Sequence, residues 1–154
     1  MTGFGRILAD LNGHGVRYVL IGGIAVIRHG VVRATRDVDA VIAQDEVNLA
    51  AVRALVDEWR ATRPDGTPVA EDGIAVGRSL HLATPHGDVD LLAPYAGTPS
   101  FDDLLARSEV RQVDGVGAPI VSLADLVLLK RFSDRPQDRL DVEALRAAHG
   151  DLPG

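Results

Sequence analysis

Residues Tyr18 to Ile42 read YVLIGGIAVIRHGVVRATRDVDAVI. An apolar run ends in Gly22-Gly23, and a second one opens on Asp37-Val38-Asp39. Side chains two apart on a strand share a face, so Asp37 and Asp39 present carboxylates about 6 to 7 Å apart by backbone rise, while Val38 and Ala40 face the other layer. Asp90, in HGDVDLL, can bring a third carboxylate from a neighbouring strand. Three converging carboxylates in a partly buried cleft repel one another and must protonate or be neutralised. Mg²⁺ or Mn²⁺ neutralises them with hard oxygen ligands and shares its shell with substrate phosphates. Two such ions would clamp the attacking and leaving oxygens of a phosphoryl or nucleotidyl transfer. Gly22 and Gly23, without side chains, let backbone N–H groups approach a polyphosphate, and Arg33 and Arg36 add counter-charge.

Around this stretch the pattern alternates between strand and helix. Phe4, Ile7, Leu8 and Leu11 recur at helical spacing, and glycines 13 and 15 close that helix. Val16 to Ile21 and Asp37 to Ile42 read as strands joined through a brief helix, Ile24 to Arg28. From Asp45, Val47, Ala51, Leu55 and Trp59 form a helical stripe, with Trp59 expected in the core. Residues 62 to 78 carry mostly turn chemistry, with a short strand expected at Ile74 to Val76. SLHLAT and DVDLLA, separated by Pro85, His86 and Gly87, form a hairpin signal. Phe101 to Ala106 reads as a short helix and Glu109 to Val121 as a second hairpin. Ser122 is the expected N-cap of LADLVLLKRF, and Pro136 the first-turn residue of a last helix carrying Leu140, Val142, Leu145 and Ala148. The expected class is α/β (α+β): a small mixed β-sheet flanked by helices, with C-terminal helices. We expect one domain over residues 1 to 154, its core in about 1 to 121 and a helical part in about 122 to 150.

Composition narrows the chemistry. Cysteine is absent, which removes disulfides and thiolate metal sites. No apolar run approaches the roughly 20 residues that span a bilayer, and a cytoplasmic protein without membrane contact is expected. A net charge of -6 opposes a broad electrostatic hold on nucleic acid. Zinc is disfavoured because no two histidines stand at ligand spacing. His29, before Gly30, sits where a helix C-terminus favours a cationic side chain. His81 and His86 flank the Asp90 strand, where substrate contact competes with an ordinary hairpin role.

The order strand, Gly-Gly, short helix, Asp-x-Asp strand and later strand Asp resembles the nucleotidyltransferase superfamily that includes DNA polymerase beta. Within it, the sequence is similar to small prokaryotic members related to the abortive-infection type toxin nucleotidyltransferases. The matching blocks are IGGIAVIRHGVVRATRDVDAVI from Ile21, VDLL from Val89 and SLADLVLLKRFSDRPQDRLDVEAL from Ser122. The resemblance implies a nucleotidyltransferase-like fold, a triphosphate turn at Gly22 and Gly23, and metal ligands at Asp37, Asp39 and Asp90. It places Lys130 near the triphosphate and matches Asp138 and Asp141, as second-tier residues, to the family's Arg/Lys-Asp-x-x-Asp block. Many members carry Ser directly after the first glycine, where this chain has Gly23. Asp88 is the alternative third ligand; the hydrophobic-Asp-hydrophobic spacing of Val89, Asp90 and Leu91 favours Asp90. Lys130 could equally snorkel, and Asp138 and Asp141 could simply complement a helix dipole.

The implied activity is Mg²⁺-dependent transfer of NMP from an NTP such as ATP to a hydroxyl acceptor on RNA, protein or a small molecule. In that reading Arg36 or Lys130 stabilises the departing pyrophosphate. A toxin-type enzyme would have an antitoxin protein as partner. The alternatives are a non-catalytic nucleotide- or partner-binding module and a metal-dependent phosphohydrolase.

Overall fold

The hydroxyl of Thr2 accepts a hydrogen bond from Gly5 N and starts α1 (Gly3–Gly13), which buries Ile7, Leu8 and Leu11. This computed structural model describes residues 2 to 153. β1 (Tyr18–Ile21) runs straight into α2 (Gly22–Arg28), so the two glycines form the first residues of that helix rather than a separate turn. β2 (Asp37–Ile42) and α3 (Glu46–Trp59) follow, then β3 (Leu80–Thr84), β4 (Gly87–Leu92) and α4 (Phe101–Arg107). β5 (Glu109–Val113), β6 (Val116–Ile120), α5 (Leu123–Ser133) and α6 (Pro136–His149) complete the order. Ser122 caps α5 by accepting from Asp125 N, and Pro136 opens α6, where a missing N–H costs nothing.

The six strands form one mixed sheet in the order β3-β4-β2-β1-β6-β5. β2 is antiparallel to β1 but parallel to β4, and this second pairing sets the register that matters: Asp37 stands beside Asp88, Asp39 beside Asp90, and Val41 beside Leu92. Neighbours in register point to the same face, so the carboxylates lie together and grade into apolar side chains along the strands. Val38, Ala40, Val89 and Leu91 point the other way and are fully buried in the core, with Leu8 and Leu11 of α1. Leu126, Val127 and Leu145 bring α5 and α6 into the same core.

Three local expectations are corrected. The 74 to 76 segment is no strand: a 3-10 turn at Glu71–Gly73 precedes it, Ile74 is buried with its carbonyl accepting from Arg53, and Val76 is exposed. The inward face of α3 is Leu49, Val52, Leu55, Val56 and Trp59, whereas Val47 is 83% exposed. Asn48 fixes that rotation, because its buried amide accepts from Arg17 N and donates to Arg17 O and Ala43 O. On α6, Leu140 and Ala148 face solvent, and the buried positions are Asp138, Asp141, Val142 and Leu145.

Candidate active site

Asp37, Asp39 and Asp90 each offer a carboxylate oxygen within a set spanning no more than 4.8 Å. Asp88 is exposed and stands outside this set, across from Asp37. The electrostatic strain concentrates on Asp39. Burial, the charge of Asp37, and a hydrogen bond and charge from Asp90 push its carboxyl up to about 7, against a smaller opposing pull from Lys130. Burial and the charge of Asp90 also raise Asp37. An all-oxygen donor set in which Asp37 and Asp39 resist ionising fits a hard divalent cation, which would relieve the repulsion.

Gly22 is required by this geometry. Its φ is +68°, and a Cβ there would stand 2.2 Å from Asp39 Oδ2. Ile21 pairs in register with Asp39, so the strand-to-helix corner closes directly over the carboxylate. At Gly23 a Cβ would meet Thr35 Oγ1 at 2.5 Å. Thr35 thus places a hydroxyl in the space that a serine after Gly22 would claim, and its only mark in the sequence is its position two residues before Asp37.

The cleft above the carboxylates has a volume of about 490 Å³ and is lined by Gly22, Gly23, Arg33, Asp37, Asp39, Asp90 and Lys130, with apolar residues beyond them. Arg36 is exposed and does not line it. Lys130 is buried, its ammonium 3.1 Å from Asp138 and 2.8 Å from Asp141. Asp141 also takes two hydrogen bonds from Arg33 and one from Gln137, and Asp138 takes them from the side chain and backbone of Arg135. Burial alone would raise Asp138, but its bonds from Arg135, Ser133 and Lys130 outweigh it and hold the carboxyl down to about 2. Asp141 is lowered in the same manner, the bonds from Lys130, Arg33 and Gln137 overcoming burial. Three cations against two carboxylates leave a surplus positive charge at the cleft wall.

At the opposite rim, His81 Nδ1 lies 2.8 Å from Asp90 Oδ1. His86 is turned towards Asp10, away from this cluster. His29 Nε2 bonds the carbonyl of Val121, and burial lowers its pKa despite that bond, which corrects the expectation of a cationic cap. Trp59 is buried as expected, its indole N–H donating to Asp10.

A Gly-Gly corner closed over register-paired aspartates on a mixed sheet, with helices on both sides, defines a nucleotidyltransferase-like fold. Residues 7 to 148 match the family described as "Nucleotidyltransferase of unknown function (DUF6036)", and the chain belongs to that family. It is an enzyme of nucleotidyl transfer. Among solved structures it is similar to the lincosamide antibiotic adenylyltransferase LnuA, lincomycin-bound, at 16% identity, with 95% of this chain and 96% of that one covered and a TM-score of 0.63. It is also similar to ANT(2'')-Ia in complex with adenylyl-2''-tobramycin, at 12% identity, 96% and 87% coverage and a TM-score of 0.61. A third likeness is to a nucleotidyltransferase from Thermotoga maritima, at 16% identity, 90% and 86% coverage and a TM-score of 0.60. No curated protein sequence matches the chain. Among the described residues no helix is long and apolar enough to cross a membrane.

Proposed function

We propose that this enzyme transfers a nucleoside monophosphate from an NTP such as ATP to a hydroxyl acceptor, with Mg²⁺ or Mn²⁺ held by Asp37, Asp39 and Asp90. The observation that carries the reading is the carboxylate set within 4.8 Å, in which burial and the neighbouring carboxylates raise the pKa of Asp39 and Asp37. A bound divalent ion would supply Lewis-acid activation of the attacked phosphorus and charge neutralisation of the triphosphate. Gly22 and Gly23 keep the strand-to-helix corner clear beside the carboxylates. Arg33 faces the phosphates, and Lys130 adds the surplus charge of its cluster where pyrophosphate departs. Asp138 and Asp141 hold those cations in place. His81 holds Oδ1 of Asp90 and so orients the carboxylate that would hold the ion and draw the proton from the attacking hydroxyl. Arg36 is left to the approach of substrate from solvent.

The relatives bound to lincomycin and to adenylyl-2''-tobramycin make a small-molecule acceptor the first class to test. RNA or a protein side chain is the second, and labelling of either would favour a cytoplasmic toxin-type enzyme with an antitoxin partner. Purified protein incubated with α-labelled NTPs, Mg²⁺ or Mn²⁺ and each acceptor class should release pyrophosphate and label one acceptor, and EDTA should stop both. Free NMP with no labelled acceptor would replace this reading with phosphohydrolysis; no turnover with any class would overturn it.

A further inference from the structure

The chain has six aromatic residues, of which Tyr18, Trp59 and Phe101 are buried and Phe4 is packed against the core. Tyr95 and Phe132 are different: 58% and 52% exposed, they stack on each other with ring centroids 6.3 Å apart and an interplanar angle of 22°. Both line the cleft. A small aromatic complement that leaves two rings paired in water beside a site, instead of in the core, points to a surface meant to be covered.

The pair is held in place. Thr98 donates to the Tyr95 carbonyl from its backbone N–H at 3.1 Å and from its hydroxyl at 2.7 Å, which closes a turn around residues 95 to 98. Within that turn Gly97 has φ +89°, and a Cβ there would stand 3.4 Å from the Phe132 ring, so the glycine lets the loop lie against it. α5 then connects the rings to the charges. Lys130 precedes Phe132 by two residues, Arg135 follows it by three, and all of them line the cleft. Val41 and Leu92, in register with each other, carry the apolar floor on from Asp39 and Asp90.

We propose that the Tyr95–Phe132 pair is the platform on which the nucleobase of the NTP stacks. This rests on the reading of the cleft as an NTP site. The argument is complementarity along one wall: a ligand anionic at one end and flat and aromatic at the other meets Lys130 and Arg135 and then the rings. Stacking uses the face of the base and grows with ring area, so purine nucleotides bind more tightly than pyrimidine nucleotides.

The test compares ATP with inorganic tripolyphosphate, which has the anionic end and no base. With Mn²⁺ present, calorimetry on wild type should find ATP bound more tightly than tripolyphosphate. Phe132→Ala and Tyr95→Ala should each weaken ATP on the order of ten- to a hundredfold and leave tripolyphosphate unchanged, while Tyr95→Phe retains ATP binding. ATP affinity unchanged in both alanine variants overturns the platform. Equal loss of ATP and tripolyphosphate also overturns it, as a general disturbance of the cleft. Wild type that binds tripolyphosphate as tightly as ATP defeats the platform but keeps the phosphate site; wild type that binds neither defeats the NTP reading itself.

Discussion

Two groups of aspartates meet at one cleft. Asp37, Asp39 and Asp90 face one another with no lysine or arginine among the described residues in contact and only the His81 imidazole against Asp90, and Asp39 is pushed up to about 7. Asp138 and Asp141, more deeply buried, are surrounded by Lys130, Arg33 and Arg135, and Asp138 is held down to about 2. Burial raises the pKa in both groups, so depth does not separate them. What separates them is whether the protein supplies its own counter-charge. The second group is satisfied internally and acts as a clasp between α5, α6 and the segment before β2. The first has no lysine or arginine against it among the described residues, and the proposed cation site rests on that contrast.

The strongest way to break this contrast is Asp39→Asn. If the carboxylates hold the cation that activates transfer, losing one should cost on the order of a hundred- to ten-thousandfold in pyrophosphate release. The metal-free protein should melt at the same temperature or slightly higher, because a repulsion has been removed. Full activity with a lowered melting temperature would reverse the assignment. Lys130→Met should do the opposite to stability. Removing one partner of a buried ion pair costs about 3 to 5 kcal/mol, and the low end applies here because Arg33 and Arg135 remain. Urea titration checks it, and equal stability of the Lys130 and Asp39 variants would erase the distinction between clasp and site.

The smallest effect concerns acid. Asp138 titrates near 2 in the folded protein against 3.8 for a free carboxyl, so the unfolded chain takes up the proton first as pH falls. Its stabilising contribution is complete above about pH 4 and is lost as pH drops towards 2, about 2 kcal/mol in all. Asp141 is shifted in the same direction. Between pH 2 and pH 5 the melting temperature should therefore fall more steeply with acidification for wild type than for Asp138→Asn, and identical slopes would place the acid sensitivity elsewhere.

Much of the molecule was readable because it rests on local signals. Strand β2 is legible to the residue, since Asp37 to Ala40 alternates with period two and runs on into apolar Val41 and Ile42, and both hairpins are marked by their turns. Ser122 and Pro136 marked their helix starts for stereochemical reasons that need no tertiary context. Rotation of helices was less legible. Val47 and Leu140 are apolar and sit on reasonable stripes, yet Asn48 turns α3 and the buried Asp138 and Asp141 turn α6 so that both face water. Apolar periodicity cannot anticipate a helix whose inward face is partly charged, because the partners that make the charge tolerable come from elsewhere in the chain. The same holds for the candidate site: its aspartates and glycines stand in one local run, while Thr35 opposite Gly23 and the Tyr95–Phe132 stack emerge only from packing.

The bond between Arg33 and Asp141 joins residues 108 positions apart. A chain emerging from the ribosome can lay down β1, α2 and β2 early, but Arg33 has no carboxylate to meet until α6 is outside the exit tunnel. Domains assemble as their sequence becomes available, and long-range contacts close last. The cleft is thus completed only once α6 has emerged. A nascent chain, or one terminated before α6, would carry the aspartates without the clasp that shapes their surroundings, so the walls of the cleft come together only after α6 has been made.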